Sequence, residues 1–235
     1  MTLLSVSNLG HRYGRKWVFR NLSFHLEPGE ALAILGPNGA GKSTLLQLIS
    51  GEKRQAQGTL RYQGEPLHGP LYSRVQAGIG VLPQASIGFW NLSVKDNLKI
   101  ALQGASTRRV SIDAVLEIVG LSDKAEIKAG RLSGGEKRRM EIGRCLTVSP
   151  SLLLLDEPFS ALDPISIEVV VGILRRVVSE GVGVIFGDHA VGAALRLADR
   201  AIIIDRGEII ASGDPVDVAE NSLVRQRYLG DTFQL

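Results

Sequence analysis

Gly36-Pro37-Asn38-Gly39-Ala40-Gly41-Lys42-Ser43-Thr44 sets glycines, a lysine and two hydroxyls at the spacing G-x-x-x-x-G-K-[ST]. That spacing suits the holding of nucleotide phosphates. The backbone N–H groups of such a loop, and the first turn of the helix it opens, point at an anion. Lys42 is placed to reach the β- and γ-phosphates, and the Ser43 hydroxyl to ligate Mg²⁺. A second group is Leu152-Leu153-Leu154-Leu155-Asp156-Glu157, an apolar run ending in two acids. Ligands of parallel α/β sheets sit beyond the carboxyl ends of strands. Asp156 is therefore placed to hold Mg²⁺ through water, and Glu157 to polarise a water aimed at the γ-phosphate. A third group, Leu132-Ser133-Gly134-Gly135-Glu136, opens a helix whose N–H groups attract a phosphate. Ser133 and Glu136 also stand at capping-box spacing, so an ordinary N-cap describes them too. Capping leaves unexplained the two glycines that keep side chains away from the approach.

These groups need elements to position them. Ala31 to Leu35 reads as a buried strand before the phosphate loop, and Leu45, Leu46, Leu48 and Ile49 carry helical spacing after it. Strands are also predicted over residues 3–9, over Leu22–Leu26 by alternation, and at Gly58–Tyr62, Ile79–Leu82, Leu152–Leu155, Val182–Phe186 and Ala201–Asp205. From Gln84 to about Thr147 the pattern becomes helical. Ser93 caps a helix carrying Val94, Leu98 and Leu102, with Asp96 in its first turn. Ser111 caps the next, and Gly134–Leu146 forms a third. Helices at about 164–180 and 190–198 complete a βαβ alternation, which predicts a mainly parallel sheet with both faces covered.

Composition excludes other classes. The 235 residues carry a net charge of +3 with acids and bases interspersed, and no basic run is interleaved with aromatics, so nucleic acid is not an expected partner. The single cysteine, Cys145, lies beside Ile142 and Leu146 and reads as a buried, inert thiol. Nothing resembles a signal peptide, and no run approaches the roughly 18 apolar residues of a membrane span. A soluble, cytoplasmic chain that meets a membrane only through partners is expected.

Taken in order, these motifs resemble the ABC-transporter nucleotide-binding domain over essentially the whole chain. The phosphate loop Gly36–Thr44 matches its Walker A motif, Gln84 its Q-loop, Leu132–Glu136 its signature, and Leu152–Asp156 with Glu157 its Walker B. Ser160-Ala161-Leu162-Asp163 matches the D-loop and His189 the switch histidine. The resemblance implies a P-loop α/β core at residues 1–83 and 148–235, an antiparallel β subdomain, and an inserted helical subdomain at 84–147 within a single domain. It implies ATP and Mg²⁺ as ligands, with Gln84 sensing the metal beside Ser43 and Asp156, and His189 contacting the γ-phosphate. Tyr13 falls where the family places an aromatic against adenine, although a strand-edge aromatic fits the residue equally well. The family's signature faces the P-loop of a second subunit. Ser133, Gly134, Gly135 and Asp163 would thus complete the ATP site of a partner copy in a homodimer. Many relatives carry Thr where Gly187 precedes Asp188 here.

Within the superfamily the chain is similar to the lipopolysaccharide-export ATPases. Leu132–Ile142 resembles their LSGGERRRVEI, and Asp156-Glu157-Pro158-Phe159 with Asp163-Pro164-Ile165-Ser166 their DEPF…DPIS. Tyr228–Leu235 is similar to their YLGEDFRL, with Thr232 in place of an acid. Phe89 falls where that family places an aromatic in the groove that receives the two transmembrane subunits, and an exposed Phe89-Trp90 pair would be an apolar patch of the kind that marks partner sites. Two aromatics packed inside the helical segment is the other reading of that pair. The resemblance places the chain on the cytoplasmic face of the inner membrane. ATPases of branched-chain amino-acid importers are the alternative. A soluble ABC ATPase acting on ribosomes or DNA fits less well, given a single cassette and a short interval between P-loop and signature.

Overall fold

Two sheets organise the chain. In the computed structural model, which describes residues 2–103, 110–230 and 232–233, strands β1 (Leu4–Tyr13), β2 (Lys16–Leu26), β4 (Gln57–Tyr62) and β5 (Glu65–Pro66) form an antiparallel sheet in the order β2-β1-β4-β5. The second sheet holds β3 (Ala31–Leu35), β6 (Ile79–Leu82), β7 (Leu152–Asp156), β8 (Gly183–Gly187), β9 (Arg200–Asp205) and β10 (Glu208–Gly213) in the order β10-β9-β3-β8-β7-β6. All its pairings are parallel except that of β10 with β9.

The all-apolar runs become strands buried on both faces, as parallel strands between covering layers must be. Alternate residues of β3 and β7 enter different cores. Leu32, Ile34, Leu152 and Leu154 pack toward the antiparallel sheet and α1 (Lys42–Ser50). Ala31, Ala33, Leu35, Leu153 and Leu155 pack toward the other helices. Those are α3 (Val94–Gln103), α4 (Ile112–Ile118), α5 (Gly134–Leu146), α6 (Pro164–Ser179), α7 (Val191–Leu197), α8 (Pro215–Glu220) and α9 (Ser222–Val224), followed by a π-helical turn at Arg225–Leu229, whereas the short α2 (Leu71–Gln76) sets its buried Arg74 on the C-terminus of α1. Helices α3, α4 and α5 lie between β6 and β7 in the chain.

The expected caps are present. The Ser93 hydroxyl accepts from Asp96 N, and Ser111 from Ala114 N. Cys145 is 5 % exposed, and desolvation pushes its thiol up to about 12. Several expectations need correction. The first strand runs past Leu9 to Tyr13, because register shifts between Val6 and Leu9 and between Leu9 and His11 break the period-two pattern without ending the pairing. Helix α2 and strands β5 and β10 were not expected. Trp90 is not part of an exposed pair: Phe89 is 45 % exposed, whereas Trp90 packs against the main core with Lys137 Nζ 5.5 Å from its ring. Within the similarity noted at the C-terminus, Asp231, Gln234 and Leu235 lie outside the described residues. Among the described residues no helix is long and apolar enough to cross a membrane.

Candidate functional site: a phosphate-loop cleft

The carboxyl ends of β9, β3, β8, β7 and β6 lie side by side, so the loops that follow them meet along one edge. Here the sheet opens into a cleft of about 870 Å³, a size suited to a nucleotide. Pro37 to Thr44 line its floor. Glycine is required there at two positions. A Cβ on Gly36 (φ 146°) would sit 2.0 Å from the Ile204 carbonyl oxygen. Gly41 is the left-handed N-cap of α1, and a Cβ there would press on Val18 and Phe19 at 2.8 and 2.9 Å. With these contacts the loop lies flat against β9 and β2, and its backbone approaches the cleft.

Lys42 is buried, and its ammonium donates to the carbonyls of Gly36 (2.7 Å) and Pro37 (3.2 Å). Desolvation lowers its pKa, and the carboxylates of Glu157, Asp156 and Asp188 oppose that shift. A phosphate in the loop would offer this ammonium stronger acceptors than the two carbonyls. Ser43 Oγ donates to Asp156 Oδ1 at 3.1 Å. Burial raises the Asp156 carboxyl, and the Ser43 bond opposes that rise. The hydroxyl of Ser43, the carboxylate of Asp156 and the amide of Gln84 are hard oxygen donors, the set that suits Mg²⁺.

Two residues from two loops converge on one carboxylate oxygen of a third loop. Gln84 Nε2 donates to Glu157 Oε1 at 2.9 Å, and His189 Nε2 lies 3.1 Å from the same oxygen. Glu157 holds a left-handed φ of 53°, uncommon for a non-glycine residue, and its N–H donates to the Gly187 carbonyl at 2.7 Å. The end of β8 thus fixes the backbone that aims the carboxylate.

Asp188 carries no local signal of its role in the sequence, where it stands between Gly187 and His189. It is 2 % exposed and accepts from Phe159 N (2.7 Å) and Ala190 N (2.8 Å), joining the loop after β7 to the turn that carries His189. Burial raises its carboxyl, and the N–H donors of Ala190 and Phe159 oppose that. The base-side wall was also missed in part: Lys16, Trp17, Val18, Asp205, Arg206 and Gly207 line the cleft with Tyr13. Asp205 closes an apolar strand as Asp156 does, which is a legible signal. Tyr13 is 53 % exposed on the rim, and hydrogen bonds with Thr44 and Lys53 hold its phenol below the usual value.

Ser133, Gly134, Gly135 and Asp163 do not line this cleft. The Ser133 capping box is complete: Ser133 Oγ accepts from Glu136 N at 3.3 Å, and Glu136 Oε2 from Ser133 N at 2.9 Å. Gly134 is exposed, and a Cβ there would meet only the Ala161 carbonyl oxygen, at 4.0 Å. Gly135 is a glycine for a different reason than an open approach. It is buried, and a Cβ there would meet Ser166 Oγ of α6 at 2.3 Å. Asp163 caps α6, accepting from Ser166 N (3.0 Å) and Ser166 Oγ (2.6 Å). At Gly187 a Cβ would make only ordinary contact, 3.4 Å from the Ile34 carbonyl oxygen and 3.5 Å from Lys42 Cβ.

The family model described as "ABC transporter" matches residues 19–160. A probable ABC transporter ATP-binding protein of Azorhizobium caulinodans is 38 % identical, over 99 % of this chain and 84 % of its own length. The lipopolysaccharide export system ATP-binding protein LptB of Haemophilus influenzae is 37 % identical over the full length of both chains. Among solved structures, an ATP-binding cassette of an ABC transporter in its ADP conformation superposes with a TM-score of 0.88 at 24 % identity, covering 98 % of this chain and all of the other.

Proposed function

This chain belongs to the ABC transporter family of ATP-binding subunits, which hydrolyse ATP with Mg²⁺, and on that premise we propose that two copies pack head to tail and power lipopolysaccharide export. The observation that carries the reading is the meeting of Gln84 and His189 on Glu157 Oε1, beside the Lys42 loop. With Oε1 held twice, Oε2 is the oxygen that takes the proton of the attacking water. Lys42 and the N–H groups of Gly36 to Thr44 bind the phosphates, His189 contacts the γ-phosphate, and Tyr13 stacks on the base. Mg²⁺, held by Ser43, Asp156 and Gln84, would neutralise charge on the β- and γ-phosphates. Positioning and charge stabilisation then do most of the chemistry.

Ser133, Gly134, Gly135 and Asp163, which stand away from their own cleft, serve the cleft of the second copy. ATP then bridges the copies, and hydrolysis releases the bridge. The export assignment draws support from a full-length relative of that name at 37 % identity. In this reading Phe89, exposed beside the Arg144 guanidinium 5.0 Å from its ring, receives transmembrane subunits at the cytoplasmic face of the inner membrane, while its neighbour Trp90 packs against the core.

The test mixes two inactive variants. Lys42→Ala copies lack a working P-loop, and Ser133→Arg copies lack a working signature. Each is expected to be inert alone, and the mixture to regain ATPase activity, because one composite site survives in each mixed dimer. A mixture as inert as its parts would refute the head-to-tail arrangement. Phe89→Ala is expected to abolish co-isolation with two transmembrane subunits while leaving the basal ATPase intact; undiminished assembly would refute the groove assignment.

A further inference from the structure

The loop from Gln84 to Ser93 leaves the catalytic edge of the sheet and enters the helical segment. Two buried polar side chains fasten it along the way. Glu141 on α5, 2 % exposed, accepts a hydrogen bond from Ser86 Oγ and a second from Ile87 N at 3.1 Å. Asn97 on α3 is fully buried and exchanges both bonds with the Phe89 backbone, at 2.7 and 3.0 Å. Arg138 Nη1, one helical turn before Glu141, lies 3.3 Å from its second oxygen. A carboxylate buried this deeply is tolerated only with such partners. Gln84, two residues before Ser86, is the residue that reaches Glu157 Oε1. Helix α5 begins at the Ser133 cap, so one helix carries both the signature and the anchor of the Gln84 loop.

We propose that Glu141 is a positioning residue for ATP hydrolysis: through Ser86 and Ile87 it ties the Gln84 loop to α5, and so sets Gln84 on Glu157 whenever α5 is in place. The proposal rests on the reading of Glu157 as the water-orienting carboxylate. Displacement of α5 carries Ser86 with it and draws Gln84 off Glu157. Turnover then depends on the position of the signature helix, although Glu141 itself touches neither nucleotide nor water.

The experiment measures kcat and KM for ATP on the purified full chain. Glu141→Leu is expected to lower kcat by about 10- to 100-fold, the effect of a displaced reacting group. KM should change by less than kcat, because Lys42, Ser43 and the phosphate loop are untouched and only Gln84 moves. Ser86→Ala, on an exposed loop position, should lower kcat in the same direction and carries the test if Glu141→Leu fails to fold. The double variant should be no slower than Glu141→Leu alone, since the two residues act as one unit. Glu141→Gln keeps an acceptor oxygen for Ser86 and Ile87 and should restore most of kcat even at reduced melting temperature. Parental kcat in a folded Glu141→Leu, or in Ser86→Ala where Glu141→Leu does not fold, or a Glu141→Gln as slow as Glu141→Leu, would overturn the tether. Glu157→Gln is measured alongside. If it is inert while the Glu141 and Ser86 variants turn over normally, the tether alone falls. If it turns over at the parental rate, the reading of Glu157 falls and the tether with it.

Discussion

Replacing Asp188 probes how the cleft is held together. Its two oxygens each take one backbone N–H, from Phe159 (2.7 Å, buried) and from Ala190 (2.8 Å, part-buried), and its side chain is 2 % exposed. A hydrogen bond to a charged group contributes about 1.5–3 kcal/mol. Asp188→Ala removes two, and leaves the buried Phe159 N–H and the part-buried Ala190 N–H without that acceptor. Part of that loss returns, because burial already disfavours the ionised carboxyl. A net destabilisation of about 2–4 kcal/mol follows. For a chain of this length that corresponds to a fall in melting temperature of about 5–15 °C. Asp188→Asn keeps one acceptor and should fall between Ala and the parent. Catalysis should suffer as well, because Phe159 lies two residues beyond Glu157 and Ala190 follows His189. A shift of about 1 Å in either costs about 100-fold in kcat. KM for ATP should hardly change. Thermal melting by circular dichroism and steady-state phosphate release at saturating ATP give the two readouts. An Asp188→Ala protein that melts within about 2 °C of the parent and turns over normally would refute this account of the staple.

Glu157→Gln preserves a side chain of the same shape that can still pair with Gln84 and His189. It should therefore bind ATP with parental affinity, lose about 10²- to 10⁴-fold in turnover, and accumulate as an ATP-bound dimer in size-exclusion chromatography. Parental turnover would remove Glu157 from its role. Glu136 has its pKa lowered by the Lys124 ammonium and then by the Ser133 N–H. A depressed carboxyl stabilises the fold above its unfolded value, near 4.5, and that stability is lost as pH falls through the folded value. Glu136→Gln should accordingly be less stable than the parent at pH 7, with the gap in melting temperature closing as pH falls from 5 toward 3; a constant gap would contradict the assignment. Arg74, 4 % exposed, donates to the carbonyls of Leu48, Ile49 and Gly69 and so closes the C-terminus of α1. Arg74→Leu leaves those acceptors unpaired and should cost about 3 kcal/mol in urea unfolding, with no change in the fitted slope. A loss under about 0.5 kcal/mol would show that the guanidinium is dispensable there.

Elements whose signal is local were readable along the chain. Leu152–Leu155 and Ala31–Leu35 are apolar at every residue because each is covered on both sides, and Ser93, Ser111 and Ser133 announce helices because caps act within one turn. Helix α2 was not readable, since the residue it buries is an arginine rather than an apolar stripe, and no side chain caps its start. Strand β10 pairs along one side only and buries none of its residues fully, so it lacks a period. Phe89 and Trp90 are adjacent in sequence, yet one faces solvent and the other the core. Composition offers no way to tell such neighbours apart.

The phosphate loop was determined by the sequence itself, because its chemistry uses backbone N–H groups and glycines within nine consecutive residues. The same holds for the acids that end β7. What only the tertiary structure decided is the meeting of residues from distant loops: Gln84 and Glu157 stand 73 positions apart and share a hydrogen bond because β6 and β7 are neighbours in the sheet. Strand order is set by which apolar faces bury one another, and no window of sequence contains that comparison. The same packing turned Asp188 inward to hold two backbone groups, gave Gly135 its close contact with Ser166, and kept Ser133 and Asp163 outside their own cleft.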